Sequence, residues 1–147
     1  PFLHIPSKLK YMWRDIERRA CLHQIEYKRP SQYPVDSLLF ARVGLAVEEL
    51  GLCREFTELA FRLHWVDDIP IGSERNLVYC LKKIGLDPDK IISVATQSSN
   101  KIRLRERTEQ ARSLGIFGSP SFIVGKELFW GDDRLEEAIE WSKRLIA

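Results

Sequence analysis

Strand-like sequence is concentrated near the C-terminal end of the chain. Two short apolar runs, "SFIV" and "ELFW", flank a two-residue "GK" within Ser121 to Trp130. That spacing suits a two-residue hairpin, because glycine at the first turn position supplies the positive φ of a type II′ turn. Apart from an extended-looking "IEYKRP", the rest reads largely as helix. The expected fold is therefore α/β but mostly helical.

The helical stretches carry their own punctuation. "SKLKYMWRDIERRACLH" places Leu9, Trp13, Ile16 and Ala20 at three- and four-residue steps, an amphipathic pattern. Pro30 and Pro34 bar helix around them. "DSLLFARVGLAVEELG" restarts at Asp36 or Ser37, lines one face with Leu39, Val43, Ala46 and Leu50, and stops at Gly51. "CREFTELAFRLHWV" continues through Phe56, Leu59, Ala60 and Leu63. "SERNLVYCLKKIG" starts on Ser73 and ends at Gly85. "DPDKIISVAT" is capped by Asp87, with Pro88 at the first helical position. "NKIRLRERTEQARSLG" runs from Asn100 to Gly115, and its basic residues, interrupted by Glu106 and Glu109, read as a solvated face. After the hairpin, Asp133 and Glu136 have the spacing of a capping box. Leu135, Ala138, Ile139 and Leu145 then form the expected inward face.

Composition excludes several classes of partner. With 147 residues, 44% hydrophobic and 30% charged, the chain reads as one soluble globular body. A net charge of +2 gives no global field for nucleic acid, and no apolar run reaches membrane-spanning length. Cys21, Cys53 and Cys80 are widely spaced and contain no C-x-x-C, so neither a zinc site nor a dithiol motif is written here. Three reduced cysteines, at least one in a core, fit a cytoplasmic setting.

The two ends of the hairpin carry the chemistry. Gly115 and Gly118 loosen the approach to "SP" at Ser119–Pro120, where a cis bond is expected. Such a turn would push the Ser119 N–H and C=O outward, free to pair with an extended peptide. The plainer reading of Pro120 is an edge-strand feature. At the other end, Asp132 and Asp133 stand at a helix start. Amides there can bind a carboxylate, and an aspartate can hold an ammonium, as an α-amino acid head group requires. The plainer reading is N-capping.

"FGSPSFIV" followed by "LFWGDDRLEEAIEW", with "IPSKLKYMWRDIERRA", "ARVGLAVEE" and the "YP" after the extended stretch, resembles a known family. It is the 2-hydroxychromene-2-carboxylate isomerases and kappa-class glutathione transferases, within the DsbA-like thioredoxin superfamily. The resemblance implies a thioredoxin-like fold with an inserted α-helical domain, here with only the C-terminal ββα half of the thioredoxin part. It divides the chain into 1–35 bordering the thioredoxin part, 36–114 as the helical insertion and 115–147 as the ββα unit. The preceding βαβ segment, on the order of 50 residues, with the serine that stabilises a thiolate, would lie outside this sequence.

Glutathione is the cofactor that the resemblance implies. Ser119, beside a cis Pro120, would meet its cysteinyl part. Asp132, Asp133 and Arg134 would meet the γ-glutamyl head, and Lys8 would approach the far end. The implied reaction is an isomerisation in aromatic catabolism, in which the thiolate adds to a conjugated carbon, a bond rotates and the thiolate leaves. The alternatives are a glutathione transferase, a thiol–disulfide oxidoreductase, and a shortened domain that binds a peptide-like ligand or a protein without chemistry. The expected partner is a small aromatic molecule. A lone hairpin also leaves an edge that either a βαβ segment or a second copy would cover.

Overall fold

A computed structural model describes residues 4–146, with the side chain of residue 146 excepted. Seven α-helices and one two-stranded sheet are present among these residues. The chain divides into two compact units, residues 1–101 and 102–147.

The first unit holds α1 (Pro6–Leu22), α2 (Leu38–Glu48), α3 (Cys53–Trp65), α4 (Glu74–Lys83), α5 (Pro88–Thr96) and the start of α6 (Ser98–Ser113). Local sequence chemistry sets several of the boundaries. Ser73 accepts from the Asn76 N–H, and Asp87 accepts from the amides of Asp89 and Lys90. Asp36 accepts from the Leu38 N–H at 2.8 Å. Gly51 and Gly85 take positive φ where α2 and α4 stop. The apolar faces of α2 to α5 close on one core of Val43, Ala46, Val47, Phe56, Ala60, Leu63, Ile71, Leu77, Cys80, Leu81 and Ala95. Leu50 falls beyond the last turn of α2 and is exposed, contrary to the face expected for it.

Three polar side chains are buried in this unit. Asn76 donates to the carbonyls of Ala60 at 3.2 Å and Ile69 at 3.3 Å, and accepts from the Cys80 thiol. Its amide thus ties α4 to α3 and to the loop after it. Asn100 donates to the carbonyls of Arg42 and Ala95. His64 accepts the Ile71 N–H on Nδ1, which assigns its proton to Nε2. Burial lowers the His64 pKa from 6.5, with Asp68 acting weakly the other way.

The segment after α1 is extended but joins no sheet among the described residues. It is tied instead to the end of α3: Lys28 donates its N–H to Trp65, and Ser31 donates to the Asp68 carboxylate at 2.7 Å. Trp13 of α1 is buried beneath the Tyr33 ring, with the Arg29 guanidinium 4.6 Å from its centroid.

The second unit holds the rest of α6, β1 (Ser121–Val124), β2 (Glu127–Trp130), a 3-10 turn over Asp132–Arg134 and α7 (Leu135–Ile146). The strands pair antiparallel, with Ser121 opposite Trp130 and Val124 opposite Glu127. Gly125 has φ +63, while Lys126 is not among the positive-φ residues; this is the II′ pattern. Alternation puts Phe122 and Phe129 on one face, where Phe129 meets Trp141 of α7, and puts Ile123, Leu128 and Trp130 on the other. Of the face expected to turn inward on α7, Ala138 is buried, but Leu135, Ile139 and Leu145 stay exposed. A two-stranded sheet is too narrow to cover an apolar stripe of that width.

Candidate functional site

Antiparallel register brings the two ends of the hairpin together. Ser121 and Trp130 are direct partners, so Pro120 and Gly131 are neighbours, and Gly131 donates its N–H to the Pro120 carbonyl at 3.0 Å. A proline and an acidic turn twelve residues apart in sequence thereby become two sides of one small surface.

On the first side, the Ser119–Pro120 bond is cis. Ser119 is exposed, and neither its N–H nor its C=O has a backbone partner among the described residues. The Ser121 hydroxyl donates to the Gly118 carbonyl at 2.5 Å and so fixes the loop from behind. The Ser119 backbone therefore offers one donor and one acceptor, the pair that an extended peptide uses.

On the second side, the acidic pair forms a 3-10 turn and not the first turn of an α-helix. The Asp133 carboxylate takes its bond from Arg134 and none from the Glu136 N–H among the described residues, so the capping box expected from Asp133 and Glu136 is not made. Gly131, with φ +117, turns the chain so sharply that a Cβ there would lie within van der Waals radius of Asp133 Oδ1. Asp133 Oδ2 takes a hydrogen bond from Arg134 at 3.2 Å, and Arg134 also bonds Glu137 at 3.0 Å. Those bonds, Glu137 foremost, raise the Arg134 pKa above the ordinary arginine value. Asp133 Oδ1 has no hydrogen-bond partner among the described residues, and an ammonium group could take that place. The 3-10 turn runs directly into α7, a helix of 12 residues, so its amides keep the N-terminal position that a carboxylate needs, beside the Asp133 oxygen that an ammonium needs.

Ser119, Pro120, Asp132, Asp133 and Arg134 thus belong to one end of the second unit. Lys8 lies in the first unit, exposed on α1. It lines an open groove of about 500 Å³ with Ser7, Tyr11, Met12, Asp15 and Ile16. Asp15 is engaged by Arg18 at 2.8 Å, whereas Lys8 makes no ion pair among the described residues. Two features of the site escaped the sequence reading. The glycine of "GDD" has a conformation no other residue takes easily, and the "FG" before Ser119 packs on Trp130; the "W-G" pair at the end of β2 was the available signal for both.

Comparison with known proteins gives the chain a family and a fold. A model of the DSBA-like thioredoxin domain matches residues 1–140. The chain is 27% identical to a 2-hydroxychromene-2-carboxylate isomerase of Sphingobium xenophagum, over 90% of this chain and 67% of that protein. It is also 27% identical to one of Pseudomonas sp. (strain C18), over 87% of this chain and 59% of that protein. The chain therefore spans roughly three fifths to two thirds of the length of these relatives. A solved 2-hydroxychromene-2-carboxylate isomerase structure superposes with a TM-score of 0.83 at 24% identity, over 97% of this chain and 69% of that one, a likeness of fold. No helix among the described residues is long and apolar enough to cross a membrane. With a family match running through the helices, the hairpin and the first half of α7, the chain belongs to the DSBA-like thioredoxin domain family.

Proposed function

We propose that this chain is the larger part of a glutathione-dependent isomerase of the 2-hydroxychromene-2-carboxylate type, working on a small aromatic acid in the cytoplasm. The observation that carries the reading is the pairing of an unpartnered Ser119 backbone with an Asp133 oxygen across the Pro120–Gly131 hydrogen bond. A tripeptide with a free α-amino group matches both. Names of the relatives supply the substrate class, and the three free cysteines fit a reducing compartment.

Each residue has a defined task in this reading. Ser119 aligns the cysteinyl backbone through its N–H and C=O, and Pro120 holds that edge in place. Asp133 takes the ammonium on Oδ1, with Asp132 adding negative charge and Arg134 fixing the Asp133 carboxylate through Oδ2. Lys8 attracts the far carboxylate, an assignment that rests on the family resemblance. Bound glutathione supplies the thiol. A serine that lowers its pKa would stand in the additional length that the relatives possess. Residues 36–114 act as the helical insertion.

Calorimetric titration of reduced glutathione into the wild-type protein and Asp133→Ala tests this. We expect binding to the wild type and a loss of about tenfold in the variant, the scale of one charge-assisted hydrogen bond. Wild-type binding that Asp133→Ala leaves unchanged would remove Asp133 from the site. No binding to wild type, in the chain or in a form of the relatives' length, would reject the glutathione reading.

A further inference from the structure

The loop that presents Ser119 is flanked by two exposed rings. Phe117 is 71% exposed and Trp130 is 51% exposed, large values for side chains of this size. Their centroids are 5.0 Å apart and their planes meet at 57°, so they form a corner and not a stack. Gly118 lies between them: a Cβ there would sit 3.0 Å from Trp130 Cε2 and closer still to Nε1. The missing side chain is therefore what lets the indole lie against the loop. Strand alternation sets Trp130 on the face of the hairpin away from Phe129 and its α7 partner, Trp141. The indole N–H has no hydrogen-bond partner among the described residues.

We propose that Phe117 and Trp130 seat the ring of a hydroxylated aromatic acid, and that Trp130 selects it. This rests on the isomerase reading and adds residues to it. Two ring faces at an angle offer offset and edge contacts to a planar ligand. A ligand that covers Trp130 also strips water from its N–H, which costs free energy unless the ligand brings an acceptor. A plain hydrocarbon brings none, whereas a phenolate or carboxylate oxygen on the ring does. The corner adjoins Ser119 in sequence, so a ring held there lies beside the edge assigned to the cysteinyl group. Trp130 is a specificity residue in this scheme and performs no proton transfer.

The test uses the full chain and two probes, 1-hydroxy-2-naphthoate and reduced glutathione, each titrated by calorimetry. Cyclohexanecarboxylate serves as the non-aromatic acid of like charge. Trp130→Ala should weaken hydroxynaphthoate about tenfold and Phe117→Ala by a few-fold, the range of aromatic pair energies. Trp130→Phe keeps a ring and loses the N–H, and should fall between wild type and Trp130→Ala. Glutathione affinity should stay within about twofold throughout, and cyclohexanecarboxylate should bind more weakly than hydroxynaphthoate. Phe117→Ala and Trp130→Phe alter exposed rings and keep the test readable if Trp130→Ala fails to fold. Absence of hydroxynaphthoate binding to wild type, or affinity that the Trp130 variants leave unchanged, overturns the proposal. So does a parallel loss of both probes, which would make Trp130 a support of the Ser119 loop. If glutathione fails to bind while hydroxynaphthoate binds through Trp130, the isomerase reading falls and the aromatic seat stands.

Discussion

Gly131 gives its N–H to the carbonyl of Pro120 at 3.0 Å, joining the entry of β1 to the exit of β2. That bond requires Gly131 in a backbone region that residues with a Cβ avoid, and the same turn brings Asp133 Oδ1 over the glycine. Backbone and side chain therefore both demand glycine here.

Gly131→Ala should destabilise the protein by about 1–3 kcal/mol and displace Asp133. Gly44 is the control. It lies inside α2, has ordinary helical φ and leaves open space where a Cβ would go. Gly44→Ala should stabilise by about 0.5–1 kcal/mol. Urea melts of the two variants should shift in opposite directions, and shifts of the same sign would contradict the reading of Gly131.

The three thiols should differ sharply in reactivity. Burial pushes the Cys80 thiol up to about 11, and its S–H is donated to Asn76. Cys21 is exposed and Cys53 is half-buried. Alkylation near pH 8 should therefore modify Cys21 first, and Cys80 only on unfolding. Mass spectrometry of timed aliquots reads the order, and early labelling of Cys80 would contradict its placement.

Acid should weaken the first unit through His64. Its folded pKa lies below the ordinary 6.5, because burial favours the neutral ring that accepts from Ile71. The contribution is complete above the unfolded value and is lost as pH falls through about 6.5 toward the folded pKa. The urea midpoint of wild type should drop across that window. His64→Asn, which does not titrate there, should show a flatter profile in the same range.

Asn76 should be the costliest polar residue to remove. Asn76→Ala strips the Ile69 carbonyl of its donor and leaves the Cys80 thiol without an acceptor. A loss of about 2–3 kcal/mol is expected, measured by equilibrium urea unfolding. A loss below about 1 kcal/mol would mean that water replaces the amide.

Much of this architecture was legible because its signals are local. Asp87–Pro88, Ser73, Gly51 and Gly85 mark helix ends by chemistry that acts within a few residues, and "GK" between two apolar runs specifies its turn alone. What the sequence hid depends on distant partners. Asn100 reads as a helix start, yet α6 begins at Ser98, and Asn100 is spent on a carbonyl 58 positions away. Asp133 reads as a cap because spacing cannot show that Gly131 turns the chain into a 3-10 path first. The apolar stripe of α7 reads as buried because periodicity reports a face and not what covers it. Of the candidate site, the ends of the hairpin were visible, whereas the Phe117–Trp130 corner exists only once the strands are in register.

The register of this hairpin also acts as a gauge. Pro120 and Asp132 are separated by a span that the facing of Ser121 and Trp130 sets, whatever the length of chain between them. Lengthening the hairpin by whole cross-strand pairs would move the Gly125–Lys126 turn outward and leave that span untouched. A single-residue slip would instead exchange the two faces and carry Trp130 away from Gly118. A hairpin can therefore be lengthened or shortened without changing the spacing of its two ends, provided that residues are gained and lost in pairs.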